Sequence, residues 1–176
     1  MVKIRSFEFK NFILHYGMFN LSVSHKRHTT HLIMSLHTDI VNTKFLPDTS
    51  RILKKHVPSV FYSKCFNYDN APFFVESKRT EIGHLFEHIL LEYVCLLKSN
   101  LGVKNPVHNG VTSWNWMKDK KGTFRITIDV GDSDREIFFA ALKQSIDVTN
   151  RILTSRRYPL KFGTSQKESS YSSLFA

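Results

Sequence analysis

From Thr80 onward, apolar residues return every three or four positions: Ile82, Leu85, Phe86, Ile89, Leu90, Tyr93, Val94 and Leu97. That spacing predicts an amphipathic helix over 80–98, closed by Lys-Ser-Asn before Gly102. A second stripe, Ile137, Phe138, Ala141, Leu142, Ser145, Ile146 and Ile152, predicts another long helix over REIFFAALKQSIDVTNRIL, with Asp132, Ser133 and Asp134 as its cap. Elsewhere the period shortens to two. Residues 2–14 and 18–25 read as strands meeting near Tyr16 and Gly17, and THLIMSLHTDI as a third, with Ile33 facing away from Leu32 and Met34. VTSWNWMKD and GTFRITIDV read as two more strands joined by a turn at KDKKG. On that reading Trp114 and Trp116 share one strand face. A short helix, RILKKHV, follows Asp48, Thr49 and Ser50, which offer its N-cap, and should stop before Pro58. FYSKCFNYDNAPFF is dense in aromatics and turn formers, and is expected to be a partly ordered loop that fills the core or walls a cleft.

Strands and helices in this order predict an α+β fold, an antiparallel or mixed sheet with two long helices packed on it. We expect one domain over 1–160 and a flexible polar tail over 161–176. A chain of 176 residues, 41% hydrophobic and 13% aromatic, can bury a sizeable core. No apolar run approaches the roughly 20 residues of a membrane helix, and MVKIRSFEFKNF has no apolar leader segment. The two cysteines, Cys65 and Cys95, form no C-x-x-C pair. This argues against a disulfide framework or a Cys-rich zinc site, and for a reducing, cytoplasmic setting. The net charge is +10, but the basic clusters (HKRH, RILKK, KDKK) are short and scattered. They suit a solvated basic surface better than a nucleic-acid interface.

The first helix carries His84, Glu87, His88 and Glu92 beside its apolar stripe. Residues four apart lie one above the other on a helix, so His84 and His88 can both reach one zinc ion. HLFEH has the H-x-x-E-H pattern of inverted zinc metallopeptidases, in which the glutamate beside the second histidine moves the proton of an activated water. The bland alternative is a solvated helix face, where His88 and Glu92 form a weak i,i+4 pair. A zinc site needs a third protein ligand. Glu92 is on the same stripe but about 6 Å further along the axis. Asp134, Glu136 and His108 are the other candidates, and the sequence leaves the choice open.

Residues 79–93, RTEIGHLFEHILLEY, resemble the N-terminal domain of cyanophycin synthetase, in which R-x-G-x-x-x-G-H-x-x-E-H-x-x-L-E-L is typical. HLIMSLHTDI, VPSVFYSKC and GTFRITIDV resemble further segments of that domain, in the same order, over about residues 5–155. The resemblance implies a polymer-binding domain that, in some members, uses zinc to hydrolyse the polymer. By position it makes His84 and His88 metal ligands, Glu87 the general base, Glu92 a ligand or supporter, and Arg79 a substrate contact. Two departures bear on substrate recognition. The glycine two places after the family's arginine is Glu81 here, and a charged stretch of the family is replaced by NPVHNGVTSW. No Gly-rich phosphate loop or GKT/S lysine occurs, so ATP-dependent synthesis is not expected of these residues.

The expectation is therefore a zinc-dependent hydrolase of peptide or isopeptide bonds, with Zn2+ as cofactor and a cyanophycin-like polymer or other peptide as substrate. The alternative is a non-catalytic polymer- or peptide-binding module of the same fold. Neither a membrane nor nucleic acid is an expected partner, and homo-oligomerisation is left open.

Overall fold

Side chains on alternate strand positions divide between core and solvent, and this division builds the sheet. Phe19, Leu21 and Val23 are buried on one strand, and Leu32, Met34 and Leu36 on the next. The computed structural model describes residues 12–66 and 71–155. The strands are β1 (Phe12–Tyr16), β2 (Phe19–His25), β3 (Thr30–Leu36), β4 (Gly110–Ser113) and β5 (Thr123–Ile128). They pair antiparallel in the order β1-β2-β3-β5-β4. In register, Leu21 opposes Met34 and Met34 opposes Phe124, so one apolar row crosses three strands. Ile33 is exposed on the opposite face, as its position relative to Leu32 and Met34 predicts.

Helices α1 (Thr49–His56), α2 (Phe73–Glu76), α3 (Ile82–Asn100) and α4 (Arg135–Thr154) complete the α+β fold. Ile82, Leu85, Phe86, Ile89, Leu90, Tyr93 and Val94 of α3 are buried as the stripe predicts. At about 1.5–3 kcal/mol per large apolar side chain, this burial outweighs the cost of the two polar groups, Glu87 and His88, that α3 also takes out of water. Phe138, Ala141, Leu142, Ser145, Ile146 and Ile152 of α4 are buried too. Lys98 near the end of α3 meets Asp134 at 2.9 Å, which joins the two long helices at one end. No helix among the described residues is long and apolar enough to cross a membrane.

Three local expectations need correction. β4 ends at Ser113, so VTSWNWMKD is not one strand. The Asn115 carbonyl accepts from the amides of Lys118 and Asp119, turning the chain away. Both tryptophans instead pack edge-on against Phe124 from this turn. Of the expected cap residues, Thr49 and Ser50 lie inside α1, and Asp48 precedes it without a side-chain cap, its carboxylate holding Arg51 at 2.9 Å. Asp132–Asp134 forms a short 3-10 turn before α4 rather than a side-chain cap. The aromatic stretch FYSKCFNYDNAPFF begins inside a 3-10 turn (Pro58–Tyr62) and ends in α2, and its residues 67–70 lie outside the described residues. The predicted strand portion at 2–11 and the polar tail at 161–176 lie outside the described residues.

Candidate metal centre

The site is built where α3 meets the segment that follows α1. Pro58 starts a 3-10 turn, and the Ser63 hydroxyl donates to the Val60 carbonyl at 2.7 Å, which fixes how the chain leaves that turn. Two residues later the chain places Cys65 against α3. Pro72 then precedes Phe73, which is fully buried with its ring stacked on His88 at 3.8 Å and 20°. His84 and His88 sit four apart on α3, their ring centroids 4.8 Å apart and their planes at 71°. Together these elements bring one donor atom each of Cys65, His84 and His88 within 4.8 Å of one another.

Each imidazole is held through Nδ1. Ser63 Oγ lies 3.0 Å from His88 Nδ1. Because that hydroxyl already gives its proton to Val60, it accepts from Nδ1–H, and the lone pair of His88 is left on Nε2. Thr80 Oγ1 lies 2.7 Å from His84 Nδ1, which leaves His84 Nε2 directed to Cys65 Sγ at 3.5 Å. Hydroxyl partners of this kind orient metal-ligating histidines and set their tautomers. In a tetrahedral zinc site with Zn–S about 2.3 Å and Zn–N about 2.0–2.1 Å, a sulfur-to-nitrogen edge measures about 3.5 Å. The Cys65–His84 separation matches it, and a thiol with two imidazoles is a donor set that zinc favours.

Burial favours the uncharged imidazoles that a metal requires. His88 is pushed down to about 3, first by burial and then by His84. His84 is lowered by burial, against an opposing pull from the Glu81 charge. His88 and Cys65 are almost completely buried, whereas His84 keeps partial exposure, so the cluster opens to solvent on the His84 side.

Glu87 is 4% exposed and points elsewhere. Helical geometry turns it about 60° of arc from His84 and about 100° from His88. Its Oε2 accepts a hydrogen bond from the Thr112 hydroxyl on β4. The carboxylate also lies against Gly110, where a Cβ would stand 2.8 Å from Oε1. Burial raises the Glu87 carboxyl to about 7, with the Thr112 bond opposing that rise. Glu87 thus lies between the imidazole pair and the sheet edge.

The other sequence candidates take different places. Glu92 is half-buried on α3, and its charge bears on Cys95. His108 donates its Nδ1–H to the Asp129 carboxylate at 3.0 Å, near the start of β4. Asp134 pairs with Lys98, and Glu136 is exposed on the first turn of α4. None of these four belongs to the group of donors that the described residues bring together. Arg79 is exposed on the turn leading to α3. Cys95 is a half-buried thiol raised by burial and by Glu92, and neither cysteine is in a disulfide.

Cys65 is the candidate donor that spacing along the helix could not supply. The signal that bears on it is the cysteine closing VPSVFYSKC, one of the segments in which a family resemblance is expected. Thr80 was also legible in principle, one helical turn before His84. Ser63, Phe73 and Thr112 carried no such signal. No protein-family model and no curated protein matches this chain.

Proposed function

We propose that the chain is a zinc-dependent hydrolase of peptide or isopeptide bonds. Cys65, His84 and His88 would hold the metal, and Glu87 would act as the general base. The observation that carries this reading is the convergence of the three donors, with both imidazoles already steered through Nδ1 by Ser63 and Thr80. Three protein ligands that leave a fourth position open are the pattern of catalytic zinc. When bound, zinc would supply a Lewis acid and lower the pKa of water. In that role Glu87 would turn from its contacts with Thr112 and Gly110 to take a proton from the attacking water and return it to the leaving amine. Arg79, exposed on the turn before α3, would contact substrate, and Glu92 would support the site from the next turn of α3. The resemblance to the cyanophycin synthetase N-terminal domain supports a cyanophycin-like polymer as one substrate.

Zinc analysis and peptide hydrolysis by the wild type and Glu87→Gln test this together. The expected result is about one zinc per chain in both proteins, with turnover lowered about 100-fold or more in the variant. A second reading, a non-catalytic peptide- or polymer-binding module, is favoured by the Thr112 bond, which ties the Glu87 carboxyl to the sheet. Zinc retention with no hydrolysis of peptides or cyanophycin by the wild type would select it.

A further inference from the structure

β4 is an edge strand, and its pairing with β5 decides which of its backbone groups face solvent. Asp129 donates its amide to the Asn109 carbonyl at 3.0 Å, across the same register in which Gly110 opposes Ile128 and Thr112 opposes Ile126. In an antiparallel ladder, directly opposed pairs alternate between hydrogen-bonded and non-bonded. Asn109–Asp129 is therefore a bonded pair, as are Val111–Thr127 and Ser113–Arg125. Gly110 and Thr112 fall on the alternate positions, so their N–H and C=O groups point away from β5. Among the described residues, no backbone group pairs with them on that outer side.

The same two residues touch Glu87. The Thr112 side chain bonds its Oε2, and the missing Cβ of Gly110 makes room for the carboxylate. Glu87 thus joins the two residues with outward backbone groups to α3, the helix that also carries His84 and His88. Among the described residues, the other edge strand, β1, lies at the opposite end of the sheet.

Building on the hydrolase reading, we infer that the outer edge of β4 binds substrate as an added strand. Gly110 and Thr112 pair with the main chain of an extended α-peptide and lay it beside Glu87 and the metal donors. Two residues spaced two apart offer donor and acceptor pairs at the repeat of an extended peptide, so recognition is through backbone amides. Side-chain identity would matter less than an unblocked, extended main chain.

The test uses the zinc-loaded protein with three probes: acetohydroxamate, N-acetyl trialanine hydroxamate, and the same tripeptide with its amide nitrogens methylated. All three carry the same metal-binding group. The expected result is that methylation weakens tripeptide binding by about tenfold or more. Amide hydrogen exchange at Gly110 and Thr112 should slow with the unmethylated tripeptide only. The preference should collapse in Thr112→Pro, which removes an outward amide without breaking a β5 ladder bond, and should survive in Thr112→Val. Equal affinity for the two tripeptides, or unchanged exchange at both positions, overturns the edge assignment and leaves the metal site standing. Failure of the zinc-loaded chain to bind even acetohydroxamate overturns the hydrolase reading, and the edge assignment with it.

Discussion

Ser63 Oγ stands 3.0 Å from Nδ1 of His88, although 25 residues separate the two along the chain. Since the same hydroxyl donates to the Val60 carbonyl, it selects the tautomer in which His88 presents Nε2 as a lone pair. A neighbour that does not touch a metal therefore decides which nitrogen of His88 can bind one. Removing it should lower metal affinity without removing a ligand. Ser63→Ala is expected to weaken zinc binding about 10- to 100-fold, measured by competition with a chromophoric chelator. Thr80→Val should act similarly through His84.

Cobalt substitution tests Cys65 as a ligand. A thiolate bound to Co2+ gives strong near-ultraviolet charge-transfer absorption, which imidazole and carboxylate ligands do not. The wild type should show that band, and Cys65→Ser should lose it. Cys95→Ser should leave it unchanged. A band lost with Cys95 instead would move the site to the other end of α3.

Glu87 predicts a pH effect on the metal-free protein. Its folded carboxyl, raised to about 7, binds a proton that the unfolded chain releases near 4.5. Folding therefore takes up protons in this window, and stability from Glu87 is lost as pH rises from about 4.5 through 7. At pH 8, Glu87→Gln should stabilise the metal-free chain by on the order of 1–3 kcal/mol in urea unfolding. Gln can still accept the Thr112 bond, so the charge is the main difference removed.

Buried histidines have the opposite sign. His25, His84 and His88 all lie below the usual histidine range because burial disfavours the cation. The unfolded chain gains protons first as pH falls below about 6.5, so their contribution to stability declines from there toward acid. The His25 side chain is 4% exposed, and its Nε2 lies buried 3.8 Å from Asp132, with no hydrogen-bond partner among the described residues. His25→Asn should flatten part of the decline between pH 7 and pH 5, read from urea midpoints without zinc. A slope unchanged in this variant would show that His25 does not contribute.

Gly83 tests the packing of α3 on the sheet. A Cβ there would fall 2.3 Å from the Phe124 ring, so Gly83→Ala forces the helix and β5 apart. A loss of about 1–3 kcal/mol is expected from thermal or urea unfolding, despite the better helix propensity of alanine. Because α3 also carries His84 and His88, zinc affinity should fall with it.

The strands around Phe19, Leu32 and Phe124 and the two long helices were legible because each element repeats its burial at a fixed local period. The Trp114–Trp116 stretch was not, because alternation continued in the sequence after Asn115 had turned the backbone. Among site residues, the His84–His88 pair and the adjacent Glu87 could be placed from the helix alone.

The remaining metal donor and its supports could not. Glu92, His108, Asp134 and Glu136 were all plausible by type, yet Cys65 is the residue that joins the pair. What the sequence by itself determined is the spacing of imidazoles along one helix, since four residues of α-helix allow one geometry. Which groups meet them was decided by tertiary structure. The segment from Pro58 through Phe73 has no period, and packing under α3 alone brings Ser63, Cys65 and the Phe73 ring to the same two imidazoles.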